Sequence, residues 1–466
     1  MVTLDLVVLA AYLVGILVVG LWAKRKAHTQ EDFLVAGRSV GPVLYSGTLA
    51  AVILGGGSTV GGVKLGYLYG ISGMWLVVMY GLAMIVVGVL LVPRILKLKL
   101  YTIPEILERR FNIPARVAGG VVMAVYDLML VVTGTIAAGA VMEVIVGIPR
   151  VPSILISSAV VITYSVFGGM WSLTQTDIVQ FVIKTIGMLF ILLPASIYYA
   201  GGFAGMHASL PPEYFSLTHI GGEKILSFFM LFFLGMLIGQ DGWQRVFTAR
   251  SVKVARDGGL YVGLYCIVYA IAGALIGAAG HVFLPPLANP DLAFGSIVNA
   301  VLPPGVRGLL LAASLSAIMS TASACVLATS TVLLEDVWLP LRKSTGSGSI
   351  LQVRMLTLLF GIVATTIACL TTDVIAALSV AYDILVGALF VPVIGAILWR
   401  RVSARAALAS IAVGGIGVIG FLRYSGVDSD LPIYAGLGSS FVVYVVLTLV
   451  DGKEAPDTER VAVQGI

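Results

Sequence analysis

Long apolar runs separated by short polar segments follow one another along almost the whole chain. The 13 runs span residues 3–22, 42–69, 74–92, 117–146, 151–167, 178–200, 225–238, 260–282, 308–334, 355–372, 374–399, 406–422 and 431–450. A helix that crosses a membrane needs about 20 mainly apolar residues, whereas a barrel strand needs only about ten residues of alternating polarity. The pattern therefore predicts an all-α polytopic membrane protein with 13 transmembrane helices.

The composition and the distribution of charge support a membrane protein. Of the 466 residues, 59% are hydrophobic and only 11% are charged, against about 25% charged residues in a typical soluble domain. Lysine and arginine are concentrated after the first run and in the segments 94–116, 245–256 and 400–405, whereas 201–222, 281–304 and 424–430 contain none. Basic loops remain on the cytoplasmic side. We therefore expect a multi-pass protein of the plasma (inner) membrane with its N-terminus outside and its C-terminus in the cytoplasm.

Several classes of protein are excluded by the same observations. The net charge of +5 arises in these loops and indicates no nucleic-acid partner. The four histidines and three cysteines do not have the spacing of a metal site, and no motif of an enzyme active site is present. We expect no catalytic residues and no obligatory protein partner, so the function depends on a helical bundle in the lipid bilayer.

The second run is unusually rich in glycine. Gly62, Gly66 and Gly70 recur every four residues, which is typical of close helix packing. The three consecutive glycines at 55–57 weaken a helix by about 1 kcal/mol each relative to alanine. We predict a broken helix there, near the middle of the membrane. Backbone carbonyls that such a break leaves unpaired are tolerated only where they line a cavity or bind an ion.

The ninth run combines small and hydroxyl-bearing residues. Ala317, Ser320, Thr321 and Ala324 share one face at three- and four-residue spacing. One interpretation is a small-residue helix interface whose hydroxyls bond back to carbonyls of the preceding turn. The other, equally open, is one half of a cation site. Two hydroxyls with three carbonyls would give five oxygens of low formal charge, a set that suits a hard cation such as sodium.

Ionisable residues inside apolar runs are costly in hydrocarbon and usually face a cavity or a partner. Glu143 and Lys184 lie near the ends of predicted spans, so we expect their side chains to snorkel to the membrane surface. Lys64 has three interpretations. We favour a structural ion pair with Asp127 or Asp383, followed closely by a contact to a substrate carboxylate. The third is a titrating group that substitutes for an ion.

These features are accompanied by motifs that resemble the sodium:solute symporter family, which includes proline, pantothenate, sialic acid and sodium–glucose transporters. The matching stretches are GRSVGP at 37–42, TIPE at 102–105, RRF at 109–111, GGM at 168–170, TDIVQ at 176–180, QR at 244–245, SAIMST at 316–321 and ED at 335–336. Together they cover the chain from 37 to 336 in the family's order, and 13 spans with an outside N-terminus are also its pattern.

The resemblance implies a fold like that of the leucine transporter, in which two inverted repeats of five helices surround a site at the middle of the membrane. The repeats would span 42–200 and 223–399, joined by an extracellular loop at 201–222. The first helix with its cytoplasmic loop, 1–41, and two peripheral helices with a short tail, 400–466, would lie outside this core.

The resemblance also implies a sodium site. Its ligands would be the backbone carbonyls of Ala51, Leu54 and Ala317 and the hydroxyls of Ser320 and Thr321. Asp177 and Ser323 match a second sodium or gating site of some members, but the next hydroxyl position is Ala324, so we expect one sodium ion per cycle. The proline transporters carry an acidic residue where this chain has Ile53, which argues against transferring their specificity.

The solute is expected beside the break in the second helix. Its candidate ligands are Gly55, Gly57, Ser58, Lys64, Asp127, Asp241 and Asp383. The predicted function is sodium-coupled symport of a small organic solute, favouring an amino acid or a carboxylate, into the cell by alternating access. The alternatives are a proton-coupled or uncoupled transporter on the same scaffold, with Lys64 as its best candidate residue, and a membrane sensor or a channel.

Overall fold

The computed structural model describes residues 3–23, 25, 29–342, 349–371, 373–427, 429–451 and 453–454. The predictions that concern Lys24, Lys26, the middle of the loop at 343–348 and the tail after 454 lie outside the described residues. Within the described part the chain is almost entirely helical, which confirms the predicted all-α class. Two short strands, β1 (Arg401–Val402) and β2 (Lys453–Glu454), pair antiparallel next to the last helices.

In chain order, the helices are α1 Thr3–Ala23, α2 Gln30–Val35, α3 Pro42–Ile53, α4 Gly62–Tyr69, α5 Trp75–Val86, α6 Val92–Ile95, α7 Pro104–Arg110, α8 Ile113–Val146, α9 Arg150–Thr185, α10 Leu193–Tyr199, α11 Gly202–Ser209, α12 Gly222–Phe228, α13 Leu234–Met236, α14 Gln240–Val246, α15 Val252–Phe283, α16 Ala293–Val301, α17 Val306–Val332, α18 Leu339–Leu341, α19 Ile350–Leu370, α20 Val374–Leu385, α21 Val391–Leu398, α22 Ala404–Ser425 and α23 Leu431–Asp451. Wider π-type turns at Val87–Leu91, Ile186–Leu192, Phe229–Phe233, Leu333–Trp338 and Val386–Phe390 join several of these helices end to end.

Many of these helices are long and apolar enough to cross a membrane. Among the described residues, ten continuous helices meet that condition, and the bent pair Gly222–Met236 and Gln240–Val246 makes 11. Pro42–Ile53 and Arg150–Thr163 are also apolar, but they are shorter helices of 10–17 residues. The structure thus supports a polytopic bundle, while the number of 13 spans stays a prediction.

Within the described residues, three interruptions divide helices inside the bundle. The second span breaks where expected: α3 ends at Ile53, Leu54 has the non-helical angles φ −94° and ψ 67°, and a π-type turn at Gly57–Gly61 leads into α4. The axis of α9 is interrupted at Gly169, whose φ of +56° only glycine adopts readily. The third break separates α13 from α14 with a bend of 42°.

Helix α17 runs through the interior and is buried along nearly its whole length. It packs against α8, α9 and the broken span. Within the predicted glycine stripe, Gly66 packs as expected for a small-residue interface, because a Cβ there would lie 2.7 Å from Ala274 Cα of α15, whereas a Cβ on Gly62 would make only an ordinary contact with Val77. Exposed apolar residues are concentrated on α1, α19, α22 and α23. These helices therefore form the periphery, and the site lies where α3, α9 and α17 meet.

Candidate functional site

The break after α3 faces the hydroxyl-bearing side of α17. Ser320 Oγ shares its single proton between the carbonyls of Ala51, at 2.7 Å, and Ala317, at 3.0 Å. Thr321 Oγ1 donates to the carbonyl of Val52. A helix that ends inside a bundle leaves its last carbonyls without helical partners, and these two hydroxyls satisfy part of that set. The two chain segments that the sequence predicted to form one site are therefore in direct contact.

A lysine from α9 occupies the centre of this junction. Lys184 Nζ donates to the carbonyls of Leu54 at 3.0 Å, Ala51 at 3.2 Å and Ala50 at 3.3 Å. Its side chain is fully buried. The expectation that Lys184 snorkels to the membrane surface is wrong, because the broken end of α3 offers the ammonium three acceptors inside the bundle. Glu143, in contrast, is exposed.

The five predicted sodium ligands are brought together, but their oxygens already have partners within the protein. The carbonyls of Ala51 and Leu54 accept from Lys184. The carbonyl of Ala317 accepts from Ser320, and the hydroxyls of Ser320 and Thr321 are used as donors. An ammonium has three N–H donors, and Lys184 directs them to three carbonyls. The predicted carbonyl ligands of Ala51 and Leu54 are therefore occupied by the N–H donors of a lysine side chain in this structure.

The second predicted sodium position is likewise filled by a protein cation. Asp177 Oδ2 accepts from Arg245 Nη2 at 3.2 Å and from the hydroxyl of Thr48. Both charged side chains are fully buried. Ser323 Oγ does not reach Asp177; it donates to the carbonyl of Ser320 at 3.1 Å. This geometry favours a structural ion pair between α9 and α14.

A small central cavity adjoins the junction. Its lining combines the break of the second span with α5, α8, α13, α14, α17 and α20, and includes Val52, Ile53, Gly55, Gly56, Gly57, Ser58, Tyr80, Thr133, Asp241, Thr321 and Tyr382. The cavity has a volume of about 30 Å³, which leaves room for about two water molecules. The pocket is therefore too small for an organic solute and must widen before one can enter.

Asp241 is the only acidic residue among the described residues that line the cavity, and none of them is a lysine or an arginine. It lies in the first turn of α14, next to the bend, and Tyr126 OH donates to its Oδ1 at 3.1 Å. Four predicted substrate ligands, Gly55, Gly57, Ser58 and Asp241, thus line one pocket. Asp127 does not line it. Asp127 is fully buried on α8, and neither carboxylate oxygen has a hydrogen-bond partner among the described residues.

Lys64 and Asp383 line a different cavity, which we call the peripheral pocket and define by Lys64, Lys224, Asp373, Asp383 and Asp430. Lys64 Nζ lies 2.9 Å from Asp373 Oδ2 and 3.1 Å from Asp291 Oδ1. The predicted structural ion pair exists, but the predicted partners, Asp127 and Asp383, are wrong. Burial raises the pKa of Asp291, and the neighbouring Lys64 opposes that shift. Asp291 and Asp373 lie in connecting segments far along the chain from Lys64, and nothing in local sequence identifies them as partners.

We expect the substitution Lys64→Ala to destabilise the protein by about 1–2 kcal/mol, less than for a fully buried pair because Asp373 is 43% exposed. The change leaves Asp291, with 5% side-chain exposure, without its cation. Thermal unfolding in detergent measures the effect. The double variant Lys64→Ala/Asp291→Asn should recover a large part of the loss, and no recovery would show that the pair is not what stabilises this segment.

Sequence reasoning missed two side chains at the site. It directs Lys184 to the surface, and it assigns no role to Tyr80, which lines the cavity. The rings of Tyr80 and Tyr382 are 6.1 Å apart, and Tyr126 lies 5.2 Å from Tyr382. The signal for Lys184 was available in principle, since a lysine within an apolar run is costly wherever it points. Nothing in the sequence shows which carbonyls it reaches.

A bundle of apolar helices in which two broken spans and a hydroxyl-bearing helix enclose a central cavity is the architecture of a secondary transporter. The model of the sodium:solute symporter family matches residues 33–414. The chain belongs to the sodium:solute symporter family.

Curated relatives of the chain are transporters of several solutes. The chain is 28% identical over 430 residues to the high-affinity proline transporter PutP of Bacillus subtilis (strain 168), covering 86% of this chain and 89% of the relative. It is 28% identical over 440 residues to the sodium/pantothenate symporter of Escherichia coli (strain K12), covering 88% of each chain. Their different solutes leave the solute of this chain open.

Among solved structures, a Na+-coupled sialic acid symporter in a substrate-bound outward-open state is similar to the chain. It has a TM-score of 0.78 at 22% identity and covers 97% of this chain and 99% of that chain. This likeness shows a shared fold. The fold is that of the leucine transporter, as predicted, while the exact bounds of the two repeats stay predictions.

Proposed function

We propose that the chain is a secondary active transporter that carries a small organic solute into the cell by alternating access through the central cavity. The observation that carries the proposal is the small pocket between the break of the second span and the bend before α14. A pocket enclosed by segments of both proposed repeats opens to one side or the other when one repeat moves against its partner. Family membership supports solute symport. No catalytic group is required for this function.

The lining of the pocket supports a solute that carries an ammonium group. Asp241 is 2% exposed and provides a carboxylate in a wall that otherwise consists of apolar and aromatic side chains, glycines and a few hydroxyl groups. A buried charge of this kind is compensated best by an opposite charge. A plain carboxylate solute is supported less, because Lys64, the cation considered for it, lies in the peripheral pocket.

An amino acid would use both ends of the site. Its ammonium group would lie at Asp241. Its carboxylate would lie at the Gly55–Ser58 segment, because the first N–H groups of a half-helix point into the break and attract an anionic group. Tyr80 and Tyr382 flank the space between these ends. The proposed solute class is therefore a small zwitterionic amino acid, within the range of amino acids and carboxylates that the sequence favoured.

Two modes of energy coupling are supported, one that uses sodium and one that does not. Sodium coupling is supported by membership of a sodium:solute symporter family. Sodium-independent transport, either proton-coupled or uncoupled, is supported by one specific contact, the hydrogen bonds from Lys184 to the carbonyls predicted to bind sodium. The proposed location is the plasma (inner) membrane, with the N-terminus outside and the C-terminus in the cytoplasm. There an inside-negative potential provides about 2.3 kcal/mol per 100 mV for each charge that enters.

A thermal-shift screen of the purified protein tests the solute class. It compares amino acids with the carboxylic acids that lack only the amino group, and adds sugars and nucleobases. We expect stabilisation by an amino acid and not by its deaminated counterpart. The substitution Asp241→Asn should weaken that binding about 10- to 100-fold, since a hydrogen-bonded charge pair is worth about 1.5–3 kcal/mol. The exposed Glu213→Gln is the matched control. Equal stabilisation by both members of a pair, or unchanged affinity in Asp241→Asn, would contradict the proposed role of Asp241.

A further inference from the structure

The junction of α3, α9 and α17 holds a cation that belongs to the chain itself. We propose that the Lys184 ammonium is the resident cation of the site at which the family resemblance places sodium, so that this protein binds no sodium ion there. The inference goes beyond the proposed function and does not depend on which solute is carried. It concerns the occupant of a site whose oxygen ligands were predicted from sequence and are found together in the structure.

The geometry around Lys184 is that of a filled site. Three N–H donors are matched by three carbonyl oxygens at 3.0–3.3 Å, and the side chain is fully buried. Two of the carbonyls, those of Ala51 and Leu54, are predicted sodium ligands. A sodium ion that used these two oxygens would have to lie within a few ångströms of the ammonium. At such a separation the repulsion between like charges weakens binding by roughly a thousandfold at the effective dielectric constant of a protein.

The charged groups around Lys184 do not compensate a sodium ion bound in addition to its ammonium group. Asp177 is about two helical turns before Lys184 on α9, but Arg245 of α14 already pairs with it at 3.2 Å. From α15 the neighbouring group is the Cys266 thiol, and α3 and α17 contribute carbonyls and hydroxyls. The counter-charge required for a sodium ion beside the ammonium is therefore absent among the described residues that surround this site.

A tethered cation has a mechanical consequence. Sodium at such a site would connect α3 and α17 only while bound, and would leave with the solute on the inner side. Lys184 contacts two of these carbonyls, those of Ala51 and Leu54, from α9 and is covalently part of the chain, so the contact between α9 and the broken span persists through the cycle or reforms in each turn. Transport by this chain then takes no sodium charge through this site.

Sodium itself is the probe for the test. The purified full-length protein is unfolded thermally in increasing sodium chloride, with choline chloride keeping the ionic strength constant, and binding of radioactive sodium is measured in parallel. We expect the unmodified protein to show no sodium-specific stabilisation and no stoichiometric sodium binding. A sodium-specific rise in Tm of more than about 3 °C, the order expected from saturable binding well above Kd, would overturn the inference.

The substitution Lys184→Ala tests whether a sodium site appears when the ammonium is removed. Removing the ammonium leaves the Leu54 carbonyl without this donor and the Ala50 and Ala51 carbonyls with one donor fewer, so we expect this variant to gain sodium-specific stabilisation that the unmodified protein lacks. The exposed Lys253→Ala is the matched control and should remain indifferent to sodium. A folded Lys184→Ala protein that is indifferent to sodium would also overturn the inference, because the carbonyls would then form no cation site.

Two further features of the experiment allow its result to be interpreted if a variant does not fold. Lys184→Met retains most of the side-chain length without any N–H donor and replaces Lys184→Ala if the smaller side chain prevents folding. The result for the unmodified protein decides the question even if neither variant folds. Failure of the inference is distinguishable from failure of the proposed function, since the sodium titration contains no solute and the solute screen is carried out in sodium and in choline.

Discussion

Replacing Arg245 by leucine is expected to lower the free energy of unfolding by about 3–5 kcal/mol, which is the usual cost of removing one member of a buried ion pair. Arg245 Nη2 and Asp177 Oδ2 are 3.2 Å apart, and both side chains are fully buried. The substitution leaves the Asp177 carboxylate with the Thr48 hydroxyl as its remaining hydrogen-bond partner. A buried carboxylate with one neutral donor is strongly disfavoured. Chemical or thermal unfolding in detergent micelles provides the measurement.

A double variant separates the ion pair from simple loss of packing. Arg245→Leu/Asp177→Asn removes both charges, so it should recover at least half of the stability lost in Arg245→Leu. Arg423→Leu, at an exposed arginine of α22, is the matched control and should stay within about 0.5 kcal/mol of the unmodified protein. A single variant as stable as this control would show that Asp177 has other compensation.

Much of the fold follows from local features of the sequence. Continuous apolar runs of about 20 residues have few alternatives to helices, and most of the described helices coincide with the predicted runs. An exception is α9, which continues through the predicted gap at 168–177 with a kink at Gly169. The break in the second span was also predictable, because consecutive glycines at 55–57 are costly in a helix. Periodicity placed Ser320 and Thr321 on one face of α17, and the structure shows that face directed to the break.

The partners of the charged residues were not predictable in the same way. Lys64 pairs with Asp291 and Asp373, which lie more than 200 residues away and outside the apolar runs, so neither hydropathy nor spacing connects them. Lys184 lies near one end of a predicted run, and from sequence a long amphipathic side chain there is expected to reach the surface. Its true direction depends on how α9 lies against α3, a property of tertiary packing. The resemblance to a family identified the ligands of a cation site, but not the group that occupies it.

The second large effect is expected at the glycine where the broken span touches α17. A Cβ on Gly55 would overlap Thr321 Oγ1 and lie 2.6 Å from the Thr321 Cβ. Gly55→Ala should therefore force α3 and α17 apart and destabilise the protein by about 3 kcal/mol, the upper end for an overpacked core. Because Gly55 also lines the central cavity, uptake or binding of solute should be lost at the same time. Thermal unfolding and the solute screen measure both effects.

The reason for the loss at Gly55 is steric, and two companion variants test that reason. A Cβ on Gly15 of α1 meets no atom within 4 Å, so Gly15→Ala should be neutral or stabilising by up to about 1 kcal/mol. Gly55→Ala/Thr321→Gly removes the atoms that the new methyl group would strike, and should regain most of the lost stability. If the double variant is no more stable than Gly55→Ala, the glycine is needed for the backbone conformation of the break and not for contact with α17. That outcome would contradict a steric clash with Thr321 as the cause of the loss. It would instead indicate that Gly55 is required for the break in the helix.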